Sequence, residues 1–212
     1  MRRQLIGVAV GLALVGGAAG AAQAGTIPYP NAGTENPVIY SFTAAATGPI
    51  TAYFAGGSAS FTEVIGLRVN GVPTGIEGLN NQTSAIGQSL ILGNVTAGDV
   101  LTFYDRILLP PSGVNTWFSN KALNSDGLQH IYSTSATAGQ IAASIPAGIY
   151  IGFEDLTPRS ASDFDYNDVQ FVFTNVGMTS GVPEPSTWAM MLLGFAGLGF
   201  AFRQSRRKVS FA

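Results

Sequence analysis

Five of the chain's 12 acidic residues, Glu154, Asp155, Asp163, Asp165 and Asp168, fall within the 15 residues from Glu154 to Asp168. Carboxylates packed this densely repel one another, so protons, backbone donors or a cation must relieve them. In an extended stretch alternate side chains share a side, which lets Asp163, Asp165 and Asn167 converge while Asp168 faces away unless the chain turns there. Calcium favours 6 to 8 oxygen ligands, and Glu154 or Asp155 from the facing strand end would help complete such a set. The candidate metal ligands are therefore Asp163, Asp165, Asn167, Asp168, Glu154 and Asp155, and Ca²⁺ is the expected cofactor. The pattern is not an EF-hand, because Asp168 and Thr174 stand where that loop needs Gly and Glu. Two other readings stay open. The acids and Asn could form Asx turns, with Arg159 neutralising one carboxylate, or a pair such as Glu154 with Asp163 could serve glycoside hydrolysis.

Other catalytic chemistry has little to stand on. The chain has no cysteine and one histidine, His130, which excludes disulfides, cysteine nucleophiles and His-rich zinc sites. There is no Gly-x-Ser-x-Gly and no phosphate loop, and His130 sits at the start of an expected strand, where a structural role is expected. The chain reads as no enzyme. Between Gly25 and Thr187 only Arg68, Arg106, Lys121 and Arg159 oppose all 12 acids, a net charge of −8. Such a surface repels phosphate backbones and excludes nucleic acid as a partner.

The elements that must position the acidic loop are strands. Short apolar stretches separated by Gly, Asn, Asp, Ser or Pro lack a sustained helical period. They predict strands near Val38–Thr43, Ile50–Phe54, Phe61–Val69, Ser89–Leu92, Val100–Tyr104, His130–Ser133, Gln140–Ile145, Ile149–Phe153 and Val169–Thr174. Asn70-Gly71 and Ala97-Gly98-Asp99 mark turns, and the Asn, Gly, Ser and Thr content from Asn70 to Asn94 suggests exposed loops. Val169, Phe171 and Phe173 alternate with more polar neighbours, so their face enters the core. Tyr104, Trp117, Phe118 and Tyr132 are expected in the core, with a sugar-stacking platform as the alternative. The fold class is all-β, a sandwich or jelly roll.

The two ends are of another kind. Arg2 and Arg3, an apolar run from Leu5 to Ala22, and the small-residue site at Ala22 and Ala24 form a secretory signal, with peptidase cleavage expected after Ala24. At the other end Pro183, Glu184 and Pro185 precede an apolar stretch, Trp188 to Phe202, and a basic cluster, Arg203, Arg206, Arg207 and Lys208. At about 1.5 Å per residue the 15-residue stretch spans about 22 Å, a short transmembrane helix against a hydrocarbon core of about 30 Å. Trp188 suits the outer interface and the Arg/Lys cluster the cytoplasmic one. The expected organisation is a signal peptide over 1–24, an extracellular β domain over 25–180 and a tail over 181–212.

The tail, Val-Pro-Glu-Pro-Ser-Thr-Trp-Ala-Met-Met-Leu-Leu-Gly-Phe-Ala-Gly-Leu-Gly followed by arginines, resembles the PEP-CTERM sorting signal of bacteria that export surface proteins alongside exopolysaccharide. That resemblance implies recognition of Pro183, Glu184 and Pro185 by an exosortase, a membrane-embedded cysteine peptidase, and a temporary membrane anchor. Phe153 to Leu156 and Asp163 to Asp168 resemble the Phe-Glu-Asp-Leu and Asp-x-Asp-Tyr-Asn-Asp motifs of a bacterial extracellular family of unassigned function, over about residues 93–176. Calcium is suspected from those motifs, and no activity is implied. The expectation is an exported cell-surface or matrix protein of structural role, handled by signal peptidase and exosortase. An exopolysaccharide-binding module is the alternative, and a secreted hydrolase stands behind both.

Overall fold

A computed structural model describes residues 25–108, 115–157, 162–181 and 191–198. Eleven strands follow one another: β1 Ile39–Ala44, β2 Gly48–Gly56, β3 Glu63–Val69, β4 Val72–Gly78, β5 Ser89–Val95, β6 Val100–Ile107, β7 Thr116–Phe118, β8 Ile131–Ala136, β9 Gly148–Phe153, β10 Val169–Thr174 and β11 Val176–Gly181. They form two antiparallel sheets. One has the order β11-β1-β6-β3-β4 with β7 also on β6, and the other has the order β5-β2-β10-β9-β8. This is the expected sandwich architecture.

Alternation along the strands supplies the core. Phe42, Leu67, Leu101 and Phe103 from the first sheet meet Phe54, Ile151, Phe153, Val169, Phe171 and Phe173 from the second, with the Phe103 and Phe173 ring centroids 4.0 Å apart. Val169, Phe171 and Phe173 are fully buried, as their alternation requires. The opposite face of the second sheet is also covered. Ile27, Ile141 and Ile145 pack there on Ala55, Ala136, Tyr150 and Val172.

That second layer explains one departure from the sequence reading. Gln140–Ile145 is not a strand but a run of turns and bends, and its two isoleucines serve as a lid on Val172 rather than alternating across a sheet. Three strands were not foreseen. β4 lies within the Asn70–Asn94 stretch read as loops; Pro73, Gly75 and Gly78 dilute its signal, and the two-residue Asn70-Gly71 turn creates it, with φ of 50° and 83°. β7 is only three residues long, and β11 follows β10 after a single residue, Asn175. Asn175 holds φ 63° and grips the β1–β2 turn, its Nδ2 donating to the Ala46 carbonyl and its Oδ1 accepting from the Ala46 amide.

Tyr104 and Trp117 are buried, while Phe118 and Tyr132 are half-buried. Residues 191–198 form a helix, and among the described residues no helix is long and apolar enough to cross a membrane. Most of the expected span over 188–202, with Trp188, lies outside the described residues. So do Ala22, Ala24, Arg159, Pro183, Glu184, Pro185, Arg203, Arg206, Arg207 and Lys208.

One close approach matters for the acidic loop. The loop returns across β9 so tightly that a Cβ on Gly152 would stand 2.2 Å from the Tyr166 carbonyl oxygen and 2.9 Å from the Tyr150 hydroxyl. Backbone cannot yield as a flexible side-chain tip can. Gly152→Ala is expected to lower stability by about 1–3 kcal/mol, the usual cost of overpacking, read as a fall in the thermal unfolding midpoint.

Candidate metal centre

The acidic residues gather at one end of the sandwich, from buried Glu154 and Asp155 through half-buried Asp165 and Asp168 to exposed Asp163. β9 ends at Phe153 and β10 starts at Val169, which are paired, and the Asp168 amide donates to the Phe153 carbonyl across 3.2 Å. The intervening acids are thereby hung from the closed mouth of one hairpin. Glu154 and Asp155 follow β9 directly and are 1% and 3% exposed. Trp117 Nε1 donates to the Asp155 carbonyl at 2.7 Å, and His130 Nδ1 pairs with the Glu154 carbonyl at 2.7 Å. The two rings stack at 3.8 Å, so buried His130 fixes the Glu154 backbone while the Trp117 it stacks on fixes that of Asp155.

The other half of the loop is not extended. Phe164 and Tyr166 adopt φ of 48° and 56°, unusual for side chains of this size, and the chain turns at each. Tyr166 swings into the interior, 1% exposed. Its hydroxyl accepts from the Asn36 amide at 2.8 Å and donates to the Gln129 carbonyl at 3.1 Å.

This turning redistributes the expected ligands. Glu154, Asp163 and Asp165 come together, and so do Glu154, Asp155 and Asp168; within each trio the carboxylate oxygens lie within 4.8 Å of one another. Oxygens on opposite sides of a calcium ion, each roughly 2.4 Å from it, stand roughly 4.8 Å apart. Asp168 therefore faces inward, contrary to the extended reading, and its Oδ2 also accepts from the Asp155 amide at 2.8 Å. Asn167 is diverted: its side-chain amide donates to Asp165 Oδ2 and its Oδ1 accepts from Ser58. Its backbone amide donates to Asp165 Oδ1 at 3.1 Å, an Asx turn of the kind weighed against the metal.

Two acids lie outside the expected set altogether. Glu63 in β3 and Asp105 in β6 are both fully buried. Their register places Glu63 opposite Ile107 and Asp105 opposite Ile65, and Asp105 also stands opposite Trp117. They occupy positions continuous with Ile65 and Leu67, and with Leu101 and Phe103, on the core face. No donor reaches either oxygen of Glu63 or of Asp105, or Oε2 of Glu154. Sequence reasoning passed over them because each is a lone acid in an apolar strand. The available signal was its parity: an acid in the core-facing register of a buried strand.

The electrostatics follow from this burial. Loss of water pushes the Glu63 carboxyl up to about 12, with the charge of Asp105 and the adjacent Asp155 adding to the rise. Burial, then the charge of Asp155, holds Asp105 well above the usual carboxylate range. Burial raises Asp168 to about 9, helped by Asp155 and Glu154, and raises Glu154 to about 7 against the lowering effect of a Ser162 hydrogen bond. Burial also raises Asp165. The described basic residues are engaged elsewhere: Arg106 with Glu77, Lys121 with Glu35, and Arg68 over the Phe118 ring. Oxygen-only donors with no compensating Arg or Lys among the described residues suit a hard divalent cation.

The Tyr166 hydroxyl is the pin that holds the loop in this shape. Tyr166→Phe leaves the Asn36 amide and Gln129 carbonyl without that partner, and is expected to cost about 1–3 kcal/mol in urea unfolding at fixed calcium.

Comparison with known proteins gives two matches. Residues 70–175 match a domain of unknown function, DUF4114, a stretch that contains β4 through β10, Asp105 and the whole acidic loop. Residues 181–208 match the PEP-CTERM protein-sorting motif, so the tail is an exosortase-type sorting signal of an exported protein. No curated protein and no solved structure gives a match. With half its length matched, the chain belongs to the DUF4114 family and carries a PEP-CTERM sorting motif directly behind that domain.

Proposed function

We propose that this is a structural protein of the bacterial cell surface, a β sandwich made rigid by calcium after export. Signal peptidase would remove the leader after Ala24, and exosortase would process the tail near Pro183, Glu184 and Pro185. Destination follows from the sorting motif. The calcium role rests on one observation: the acidic end of the domain has converging carboxylate oxygens and no described Arg or Lys to balance them.

Burial favours a structural role over hydrolysis. A catalytic carboxylate pair has to meet its substrate, and in the pair Glu154 with Asp163, Asp163 is exposed but Glu154 is closed off, its backbone carbonyl paired with His130. An exopolysaccharide-binding role draws less support. Phe118 lines an open cleft with Arg68, Tyr104 and Arg106, but the Arg68 guanidinium lies 4.7 Å from the centre of the Phe118 ring and occupies the face on which a sugar would stack.

A ligand that binds only the folded state stabilises it by RT ln(1 + [L]/Kd), about 2.7 kcal/mol at a hundredfold excess over Kd. Thermal unfolding in millimolar Ca²⁺ is therefore expected to run several degrees above that in EDTA, with little gain from Mg²⁺. Glu154→Gln, which alters the one residue shared by both trios, is expected to lose most of the gain. An identical midpoint with and without Ca²⁺ would remove calcium from the account and leave the sorting signal untouched.

A further inference from the structure

Glu63 and Asp105 have no explanation in the loop itself. They come from β3 and β6 of one sheet, whereas Asp155 and Asp168 belong to the β9–β10 hairpin of the other. All four oxygens of Glu63 and Asp105 lack a hydrogen-bond donor although both residues are fully buried. The β3–β6 register sets Glu63 and Asp105 diagonally on the core face of neighbouring strands, and Trp117, paired opposite Asp105, donates its indole N–H to the Asp155 carbonyl, which brings Asp155 to the same end. A buried carboxylate with no donor is costly, and a cluster of them more so. A core register that holds two donorless acids on neighbouring strands leaves four buried oxygens that a cation would satisfy.

We infer that the sandwich contains an interior divalent-cation site, in which Glu63 and Asp105 join Asp155 and Asp168 to tie the two sheets together. It is separate from the outer position formed by Asp163 and Asp165, and Glu154 stands between the two because it belongs to both trios. This inference rests on the calcium reading above and deepens it. The donors are all oxygen and mostly carboxylate, which selects a hard ion able to take carboxylates in irregular geometry; calcium meets this better than magnesium, which demands a near-ideal octahedron and keeps its waters. The interior ion has a different mechanical consequence from the outer one. The outer ion orders a loop, while the interior ion couples β3 and β6 to the β9–β10 hairpin across the core.

The test uses the full chain in mild detergent, with bound calcium counted by native mass spectrometry after removal of free ion. Asp105→Asn and Glu63→Gln are each expected to lose one ion per chain that Asp163→Asn/Asp165→Asn retains. In EDTA, Asp105→Asn and Glu63→Gln are expected to unfold at a higher temperature than the unsubstituted chain, since each removes a buried carboxyl that no donor satisfies. Terbium supplies a second readout, because Trp117 donates its indole N–H to the Asp155 carbonyl and should sensitise an ion held there. Its tryptophan-excited emission should survive Asp163→Asn/Asp165→Asn and fall in Asp105→Asn. Calcium binding that is lost only with Asp163→Asn/Asp165→Asn, with count and emission unchanged in Asp105→Asn and Glu63→Gln, overturns the interior site and leaves the outer one standing. No calcium bound to the unsubstituted chain overturns both.

Discussion

The organising constraint of this molecule is the enclosure of acid between two apolar sheets. Seven of the 12 acidic residues, Glu63, Asp105, Glu154, Asp155, Asp163, Asp165 and Asp168, collect at one end of the sandwich. Burial raises the carboxyls of Glu63, Asp105, Glu154, Asp165 and Asp168 above their ordinary range, and the pair most deeply placed, Glu63 and Asp105, lacks hydrogen-bond donors. Everything nearby is built to hold these groups in position. Trp117 and His130 fix the carbonyls of Asp155 and Glu154, Gly152 lets the loop backbone settle onto β9, and Tyr166 fastens the return leg to Asn36 and Gln129. Such investment in placing mutually repelling groups has an economical reason if their oxygens serve a cation.

The rest of the fold is more conventional. Aromatic and branched side chains alternate into a core shared by both sheets, and a second cluster seals the far side of β10 and β9. Because β10 is covered on both faces, Val172 is buried as fully as Phe171 and Phe173. The central strand from which the acidic loop departs is thus immobilised from both sides, which is what a site assembled from a 15-residue connection requires.

Alternation and turn chemistry made most of this architecture legible in the sequence. Strands with period-two patterns, such as Val169–Thr174 and Ile149–Phe153, were foreseen with nearly their observed limits, and Asn70-Gly71 announced its turn. What escaped was structure made by context. β4 is an exposed strand rich in Gly and Pro that exists because a hairpin returns it to β3, and Gln140–Ile145 has strand-like apolar content but contributes it as a lid. At the site, the density of acids from Glu154 to Asp168 was plain, yet the two left-handed residues, Phe164 and Tyr166, were not. They change which side chains converge, bringing Asp168 in beside Glu154 and Asp155 and setting the Asn167 amides to donate to Asp165. The parity of Glu63 and Asp105 hinted that each faces the core, but that they stand near each other required knowing that β3 and β6 are neighbours in a particular register.

The last strand has a mechanical meaning. β11 pairs with β1 in six antiparallel pairs, from Ala44 opposite Val176 to Ile39 opposite Gly181, and Pro183 follows Gly181 by only two positions. Any tether attached beyond Gly181 therefore pulls on an edge strand with almost no slack in between. A pull directed along that strand loads the rungs of the ladder together in shear, instead of opening them singly as a zipper would. The hydrogen bonds between β1 and β11 are thus the first element of the domain to feel tension applied through the C-terminal tail.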